Sequence, residues 1–295
     1  MTVVLSTINM KGGVGKTTLT VNLAACLVRD HHQRVLIVDL DSQISGTLSV
    51  ISPQEFGRLR RGRRTISYLI DKVVRPYIAR KFSTMEMILP GVCNLPGLDL
   101  LPGDIELYDE YTVTEALYKK SLDAEQNQKF ATTWQGFEQD LMAAILKPIR
   151  DNYDYILIDC APGYNLLTRS AIVMSDFYLL PARPEPLSLV GIQLLQQRID
   201  KLKLQYQPEL ALKLLGIVFI QSGSFLNNRY YNQVMQRIKQ DFDPAQLFQT
   251  TIPLDVNVAK AVDSFTPVVL NSPNTAGSKA FNKLTLELLE KVVAV

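Results

Sequence analysis

The hydrophobic residues of this chain fall into short apolar runs that alternate with stretches of helical periodicity. Several of the runs are continuous, as expected of strands buried on both faces of a parallel sheet. The runs predict seven strands, at Val3–Ile8, Arg34–Val38, Leu98–Leu101, Tyr155–Ile158, Phe177–Leu180, Leu214–Ile220 and Gln249–Ile252.

Between most of these runs, apolar residues recur with the period of a helix. Strands and helices that alternate are typical of an α/β fold, here a doubly wound, mostly parallel sheet with helices on both faces. We expect a single domain over residues 1–295, with an irregular elaboration on the sheet edge at about residues 45–133. The predicted helices are Thr17–Arg29, Phe137–Lys147, Leu166–Met174, Leu187–Leu204, Asn228–Phe242 and Ala276–Val292.

Composition narrows the class of protein. The 295 residues can bury a sizeable core, and a net charge of +2 leaves any nucleic-acid contact to local basic clusters. Three cysteines are too few for a disulfide framework, and Cys26 and Cys160 fit a core in a reducing compartment. Because the chain begins on a strand and has no run long enough to span a bilayer, we expect a cytoplasmic protein without membrane insertion.

A glycine-rich segment joins the first predicted strand to the first predicted helix. Residues 9–18 read Asn-Met-Lys-Gly-Gly-Val-Gly-Lys-Thr-Thr. Such a turn leaves backbone N–H groups free to converge on a phosphate at the helix N-terminus. Lys16 supplies a positive charge for the β- and γ-phosphates, and the Thr17 hydroxyl is a Mg²⁺ ligand. The segment is a variant phosphate-binding loop, with Met10 where the general pattern has glycine and Lys11 as a second lysine.

Carboxylates follow two other predicted strands, where ligands bind in open α/β sheets. The second strand ends in Asp39-Leu40-Asp41, and alternation points the two carboxylates toward the same side. The strand Tyr155–Ile158 runs into Asp159, and an apolar strand that ends on Asp is the Walker B arrangement for Mg²⁺. Shortly after it, Gly163 can donate a backbone N–H to a γ-phosphate.

The loop sequence Lys-Gly-Gly-Val-Gly-Lys-Thr resembles the deviant Walker A box of the ParA/MinD superfamily of ATPases. Nearly the whole chain apart from residues 45–133 resembles ParA-type proteins, including Asp-Cys-Ala-Pro-Gly over 159–163. The resemblance implies an ATPase that binds Mg-ATP, forms an ATP-dependent homodimer and hydrolyses ATP slowly until a partner stimulates it. It also implies non-specific DNA binding, nucleoid association, and cargo positioning through a ParB-like or McdB-like adaptor.

The resemblance also assigns roles to residues. Lys11, Lys16 and Asp41 form the catalytic group: Lys11 reaches across the dimer to the partner's nucleotide, and Asp41 positions or activates the attacking water. Mg²⁺ is held by Thr17, Asp39 and Asp159. The nucleotide contacts are Gly12, Gly13, Val14, Gly15, Lys16, Thr17, Thr18, Gln221, Pro253 and Asp255.

Adenine is favoured over guanine because the chain lacks the loop motif Asn-Lys-x-Asp. Its Asn282-Lys283 pair is followed by Leu-Thr inside a predicted helix. The family's base-pocket segment, usually Ile-Pro-Arg, matches Ile252-Pro253-Leu254, and Gln221 matches the other base contact.

Two basic groups compete for the DNA contact. The arginine cluster comprises five arginines within seven residues, and the C-terminal group lies where the family places DNA contacts. We favour the C-terminal group, since the resemblance does not extend to the cluster, which has a solvated loop as an alternative interpretation. The cluster is Arg58, Arg60, Arg61, Arg63 and Arg64; the C-terminal group is Lys201, Lys203 and Arg229.

Three other classes of protein remain as alternatives. A MinD-like membrane-cycling ATPase needs a basic amphipathic C-terminal helix, whereas the tail from Leu284 is acidic to neutral. An iron–sulfur reductase needs paired cysteines, and Cys93 stands alone in its region. A non-catalytic scaffold is disfavoured because Lys16 and the three aspartates are intact.

Overall fold

The protein is built on a parallel β-sheet, seen in a computed structural model that describes residues 2–75, 83–123, 129–206, 210–220, 233, 236–238 and 240–294. Among these residues, six strands pair in the order β3-β2-β4-β1-β5-β6, and every neighbouring pair is parallel. The strands are β1 (Val3–Thr7), β2 (Val35–Leu40), β3 (Leu98–Leu101), β4 (Tyr155–Cys160), β5 (Phe177–Ala182) and β6 (Lys213–Phe219).

Helices connect the strands in the described part of the chain. They are α1 (Lys16–His31), α2 (Ser45–Leu48), α3 (Pro53–Arg61), α4 (Ile66–Val74), α5 (Thr84–Met87), α6 (Glu110–Asp123), α7 (Phe130–Leu146), α8 (Leu166–Met174), α9 (Pro186–Gln205), α10 (Val256–Asp263), α11 (Val268–Asn271) and α12 (Ala276–Ala294). Within the described ranges, none of these helices combines the length and hydrophobicity that a bilayer crossing requires.

The sheet separates two hydrophobic cores because successive strand residues point to opposite faces. In β2, Leu36 and Val38 join a core with α4 and α6–α9, whereas Val35 and Ile37 join a core with α1, α11 and α12. Every residue of β2 and β4 is buried, which explains their continuous apolar sequences. The predicted doubly wound, mostly parallel fold is confirmed.

One predicted strand is wrong. Residues 249–252 form one isolated bridge, between Ile252 and Ile220. A second isolated bridge, between Leu247 and Ile217, lies just before this range. The chain touches the sheet edge at these separate points, and an apolar run does not reveal whether pairing continues between them.

Other predictions are adjusted. The helix predicted from Phe137 begins at Phe130, and the irregular segment 45–133 contains α2–α6 as well as β3. Four of these helices, α2–α5, have only four to nine residues, so the helical period of apolar residues repeats too few times in each to predict it. The helix predicted over Asn228–Phe242 lies mostly outside the described residues.

The packing of α12 on α1 generates a stability prediction. Leu284 is fully buried against α1, whereas Leu286 on the same helix is 53% exposed. Leu284→Ala should lower the free energy of unfolding by about 2–5 kcal/mol, because it leaves a cavity in the core. The matched change Leu286→Ala should cost less than about 1 kcal/mol. Urea unfolding followed by circular dichroism measures both, and equal losses would contradict this packing.

Candidate functional site

Three polar residues lie side by side at the carboxyl ends of neighbouring strands. Thr7 of β1 pairs in register with Asp159 of β4, which in turn pairs with Asp39 of β2. The glycine-rich loop follows β1 directly, so it lies over the same edge of the sheet. The fold therefore brings together the loop and the carboxylates that the sequence predicted, which lie far apart along the chain.

The loop of residues 9–15 has a backbone that only glycine adopts readily. Gly13 and Gly15 have φ angles of 69° and 93°, in the left-handed region. A Cβ on Gly15 would also lie 2.5 Å from Cδ1 of Ile220. The side chain of Val14, between these two glycines, is buried. The loop ends where α1 begins, so its N–H groups lie at a helix N-terminus, where anions bind.

Lys16, the first residue of α1, folds back over the loop. Its Nζ donates a hydrogen bond to the Lys11 carbonyl at 3.3 Å, and the side chain is largely buried. Burial lowers the pKa of Lys16, while the charges of Asp159 and Asp41 oppose that shift. A buried ammonium near carboxylates, at the N-terminus of a helix, is suited to a phosphate chain.

Thr17 and Asp159 form the centre of the site. The Thr17 hydroxyl donates to Oδ2 of Asp159 at 2.6 Å, and this carboxylate is fully buried. Within the described residues, Oδ1 of Asp159 has no hydrogen-bond partner. Burial and the neighbouring Asp39 charge raise the pKa of Asp159. An unsatisfied buried carboxylate oxygen beside a hydroxyl fits a hard divalent cation such as Mg²⁺, which prefers oxygen ligands.

Asp39 is held by groups that the sequence analysis did not name. Its Oδ2 accepts from both the backbone N–H and the hydroxyl of Thr47, each at 2.7 Å, and its Oδ1 accepts from the Asp41 N–H at 3.1 Å. Burial raises the pKa of Asp39 to about 6. A Cβ on Gly46 or Gly103 would come within 3.0 Å of the Asp39 carboxyl carbon. In the sequence, these contacts are indicated only by the small residues at positions 45–47.

Asp41 lies just beyond the last residue of β2. Its Oδ1 accepts a hydrogen bond from the Gln43 N–H at 2.9 Å. Its negative charge opposes the lowering of the Lys16 pKa by burial, and the side chain is 9% exposed. The catalytic role of Asp41 stays a prediction.

Lys11 has an intramolecular partner. Its Nζ lies 2.6 Å from Oε2 of Glu185, the residue before α9, and the two side chains are 48% and 39% exposed. The Lys11 N–H also donates to the Asn9 side chain at 2.9 Å, which fixes the start of the loop. An exposed ion pair contributes little to stability, so Lys11 can exchange Glu185 for another partner.

The predicted base contacts are placed only in part. Ile252 pairs with Ile220, and the Ile220 side chain lies against Gly15 of the phosphate-binding loop. Pro253, the next residue in the chain after Ile252, is therefore close to that loop. The carboxylate of Asp255 accepts from the backbone N–H groups of Asn257 and Gly277, each at 2.8 Å, and so joins α10 to α12. Gln221 lies outside the described residues.

The arginine cluster lies at the end of α3 and is largely engaged within the chain. Arg60 lies 3.2 Å from carboxylate oxygens of Asp104 and Glu106. Arg63 stacks 6.0 Å above the ring centroid of Tyr68, and Arg64 donates to the carbonyls of Glu86 and Ile88. Arg58, Arg61 and Arg63 are exposed, and among the described residues none of these three forms an ion pair.

The C-terminal basic residues occupy different sides of α9. Lys201 is exposed, whereas Lys203 is half-buried and, at 100° per residue, lies about 200° away around the helix. Arg198 is exposed on the same side as Lys201. Arg229 lies outside the described residues, so its place in this surface stays a prediction.

The site resembles that of known proteins along most of the chain. Residues 2–212 match the AAA domain family. The chain is 29% identical over 290 residues to the chromosome partitioning protein ParA of Caulobacter vibrioides, covering 98% of this chain and 94% of that protein.

Two solved structures share the fold. Apo McdA from Cyanothece aligns with a TM-score of 0.71 at 17% identity, covering 98% of this chain and 100% of that one. MinD from Pyrococcus horikoshii complexed with Mg-ADP aligns with a TM-score of 0.61 at 22% identity, covering 99% and 98%. The match over residues 2–212 shows that the chain belongs to the AAA domain family, and the deviant phosphate-binding loop together with the similarity to ParA over nearly the whole chain identifies it as a member of the ParA/MinD superfamily.

Proposed function

We propose that this protein is a ParA-type ATPase that binds Mg-ATP, dimerises around the nucleotide and positions a cargo on DNA. The observation that carries the proposal is the Thr17–Asp159 hydrogen bond of 2.6 Å beside the buried Lys16. These three residues combine a cation-binding hydroxyl, a buried carboxylate and a phosphate-binding ammonium at the start of α1. The similarity to a chromosome partitioning protein over nearly the whole chain supports the same function.

In this proposal the loop N–H groups and Lys16 hold the phosphates, and Thr17, Asp39 and Asp159 hold Mg²⁺, which neutralises charge on the phosphates. Asp41 lies beside this group and orients or activates the attacking water. The raised pKa values of Asp39, about 6, and of Asp159 give both carboxyl groups in the free protein a stronger preference for the protonated form than an exposed aspartate has. A bound cation would reverse that preference, since a nearby positive charge favours the ionised carboxylate.

Dimerisation is assigned to Lys11. In the single chain its ammonium is half exposed and paired with Glu185, at the surface next to the phosphate-binding loop. A lysine in this position can reach the phosphates of a second chain that packs face to face. Each nucleotide would then bring the two subunits together, and hydrolysis would release them.

DNA binding is assigned to the exposed side of α9. Arg198 and Lys201 lie together on one exposed side of this helix, and the family resemblance covers α9 but not the arginine cluster. A dimer would double this basic surface, which explains how nucleotide state controls affinity. We propose a cytoplasmic, nucleoid-associated protein that acts as a single domain and partners with a ParB-like or McdB-like adaptor. The cargo is a partition complex or a protein compartment such as the carboxysome.

The alternative function is membrane cycling of the MinD type. The feature that argues against it is α12, whose apolar side packs on α1 and is therefore not free to bind lipid. Phe281, Leu284 and Leu288 of this helix are fully buried.

Substitution of Asp41 tests hydrolysis. Asp41→Ala should bind ATP and dimerise but lose turnover by about 100-fold or more, because the attacking water loses its general base. Lys16→Ala is the comparison, since it should lose ATP binding itself. Phosphate release and nucleotide titration measure both. Normal turnover in Asp41→Ala would assign the water to another residue.

The role of Lys11 is tested against that of its partner. Lys11→Ala should bind ATP as a monomer and fail to dimerise, because the ammonium that crosses the interface is gone. Glu185→Gln breaks the same ion pair but keeps Lys11, so it should still dimerise. Size-exclusion chromatography with light scattering, with and without ATP, separates the two variants. If both variants lose the dimer, the ion pair itself is what dimerisation needs.

The DNA surface is tested by single charge reversals. Lys201→Glu should weaken binding of the ATP-bound dimer to random-sequence DNA and lower its salt slope by about 1 or more. Lys203→Glu should have less effect, because Lys203 is half-buried on another side of α9. Lys279→Glu, an exposed lysine on α12, is the matched control. A loss in Arg58→Glu with none in Lys201→Glu would place the contact on the arginine cluster instead.

A further inference from the structure

Tyr164 joins the loop after β4 to helix α9. It follows Gly163 directly and is half-buried. The guanidinium groups of Arg169 in α8 and Arg198 in α9 each lie 5.5 Å from its ring centroid. The Tyr164 hydroxyl also donates a hydrogen bond to the Arg198 carbonyl at 3.1 Å. One side chain thus contacts both the side chain and the backbone of the same α9 residue.

A buried ion pair fixes Arg169 on the inner side of this contact. Arg169 lies 2.9 Å from the carboxylate of Glu138 in α7, which is fully buried. Tyr206, the residue directly after α9, donates to the other oxygen of that carboxylate at 2.9 Å. Loss of Arg169 would leave the buried charge of Glu138 uncompensated. The Arg169 guanidinium is therefore a fixed support for the Tyr164 ring.

Gly163, the residue before Tyr164, links the Tyr164 ring to the phosphate-binding loop. Its φ of 106° is in the left-handed region, and its N–H donates to the Asn9 carbonyl of the phosphate-binding loop at 3.4 Å. This hydrogen bond is long, so a γ-phosphate oxygen would compete for the same N–H with a shorter, charge-assisted one. A rotation at Gly163 would displace the ring of the next residue.

From this geometry we infer that Tyr164 is a positioning residue that couples the phosphate site to the orientation of α9. The inference rests on the proposed function, since α9 carries Arg198 and Lys201. Bound nucleotide then has two effects on the basic surface of α9. It changes the orientation of this surface within each subunit, and it brings two such surfaces together in the dimer. The coupled elements are the loop after β4, α8 and α9, which form a contiguous set of contacts.

Three substitutions test the coupling. Tyr164→Phe keeps the ring between the guanidinium groups and loses only the hydroxyl, whereas Tyr164→Leu loses both contacts. Tyr68→Leu is the matched control, because Tyr68 is also half-buried and stacked by an arginine, Arg63, that is not part of α9. For each purified variant, nucleotide affinity and ATP-dependent dimerisation are measured first, to show that the phosphate site is intact.

The readout is the ratio of affinities for random-sequence DNA with ATP and with ADP. Tyr164→Leu should lower this ratio by about fivefold or more, the usual lower range for coupling between sites. Tyr164→Phe should give an intermediate ratio, and Tyr68→Leu the wild-type ratio. A wild-type ratio in Tyr164→Leu overturns the inference. Should that variant not fold, a wild-type ratio in Tyr164→Phe overturns it.

A second measurement is independent of DNA. Trp134, the only tryptophan of the chain, lies four residues before Glu138 in α7, and Glu138 pairs with Arg169, so its fluorescence reports on the fixed support. Replacing ADP by ATP should change the hydrogen–deuterium exchange of α9 in the wild type and leave the Trp134 fluorescence unchanged, and Tyr164→Leu should abolish the change in exchange. If the wild type shows this change without binding DNA, the proposed function fails and the coupling stands. If it binds DNA and α9 does not respond, the coupling fails alone.

Discussion

The hydrogen bond from the Thr17 hydroxyl to Asp159 is the contact on which the rest of the site depends. It joins the first turn of α1 to the end of β4, and it forms because β1 and β4 are neighbours with Thr7 opposite Asp159. The parallel register also places Asp39 beside Asp159, with both carboxylates buried. Because their pKa values are raised above the ordinary value of 3.8, the free protein holds this arrangement at a cost in stability that develops as the pH rises above that value. Such a cost is common where a site is organised in advance for its ligand.

The elements that carry the site were predictable from the sequence, because each has a local signal. The strands β1, β2 and β4 are continuous apolar runs that end in polar residues, and the loop has a glycine spacing found in few other contexts. The wrongly predicted strand at residues 249–252 has the same apolar character but touches β6 only at isolated points. Strand propensity describes a residue's fit to a sheet, and it does not show whether a sheet edge is free to pair.

The residues that the sequence did not reveal act through contacts made by folding. Thr47 holds Asp39 from a short helix, and Glu185 meets Lys11 across 174 positions of the chain. The arginine cluster is the opposite case, since its sequence stands out. Within the fold, however, Arg60 and Arg64 are committed to carboxylates and carbonyls. Charge density along a sequence therefore says less about binding than the number of charges left unpaired on one surface.

Helix α9 is where these contacts converge. Glu185, at its start, pairs with Lys11 of the phosphate-binding loop, and Arg198, farther along, meets Tyr164 from the loop after β4. In the proposed function, Lys11 leaves Glu185 when the dimer forms, and a γ-phosphate oxygen accepts a hydrogen bond from the N–H of Gly163. Both events release or displace a contact of the same helix. A rigid helix held at two points responds to both as one body, so dimer formation and the γ-phosphate would act on one basic surface.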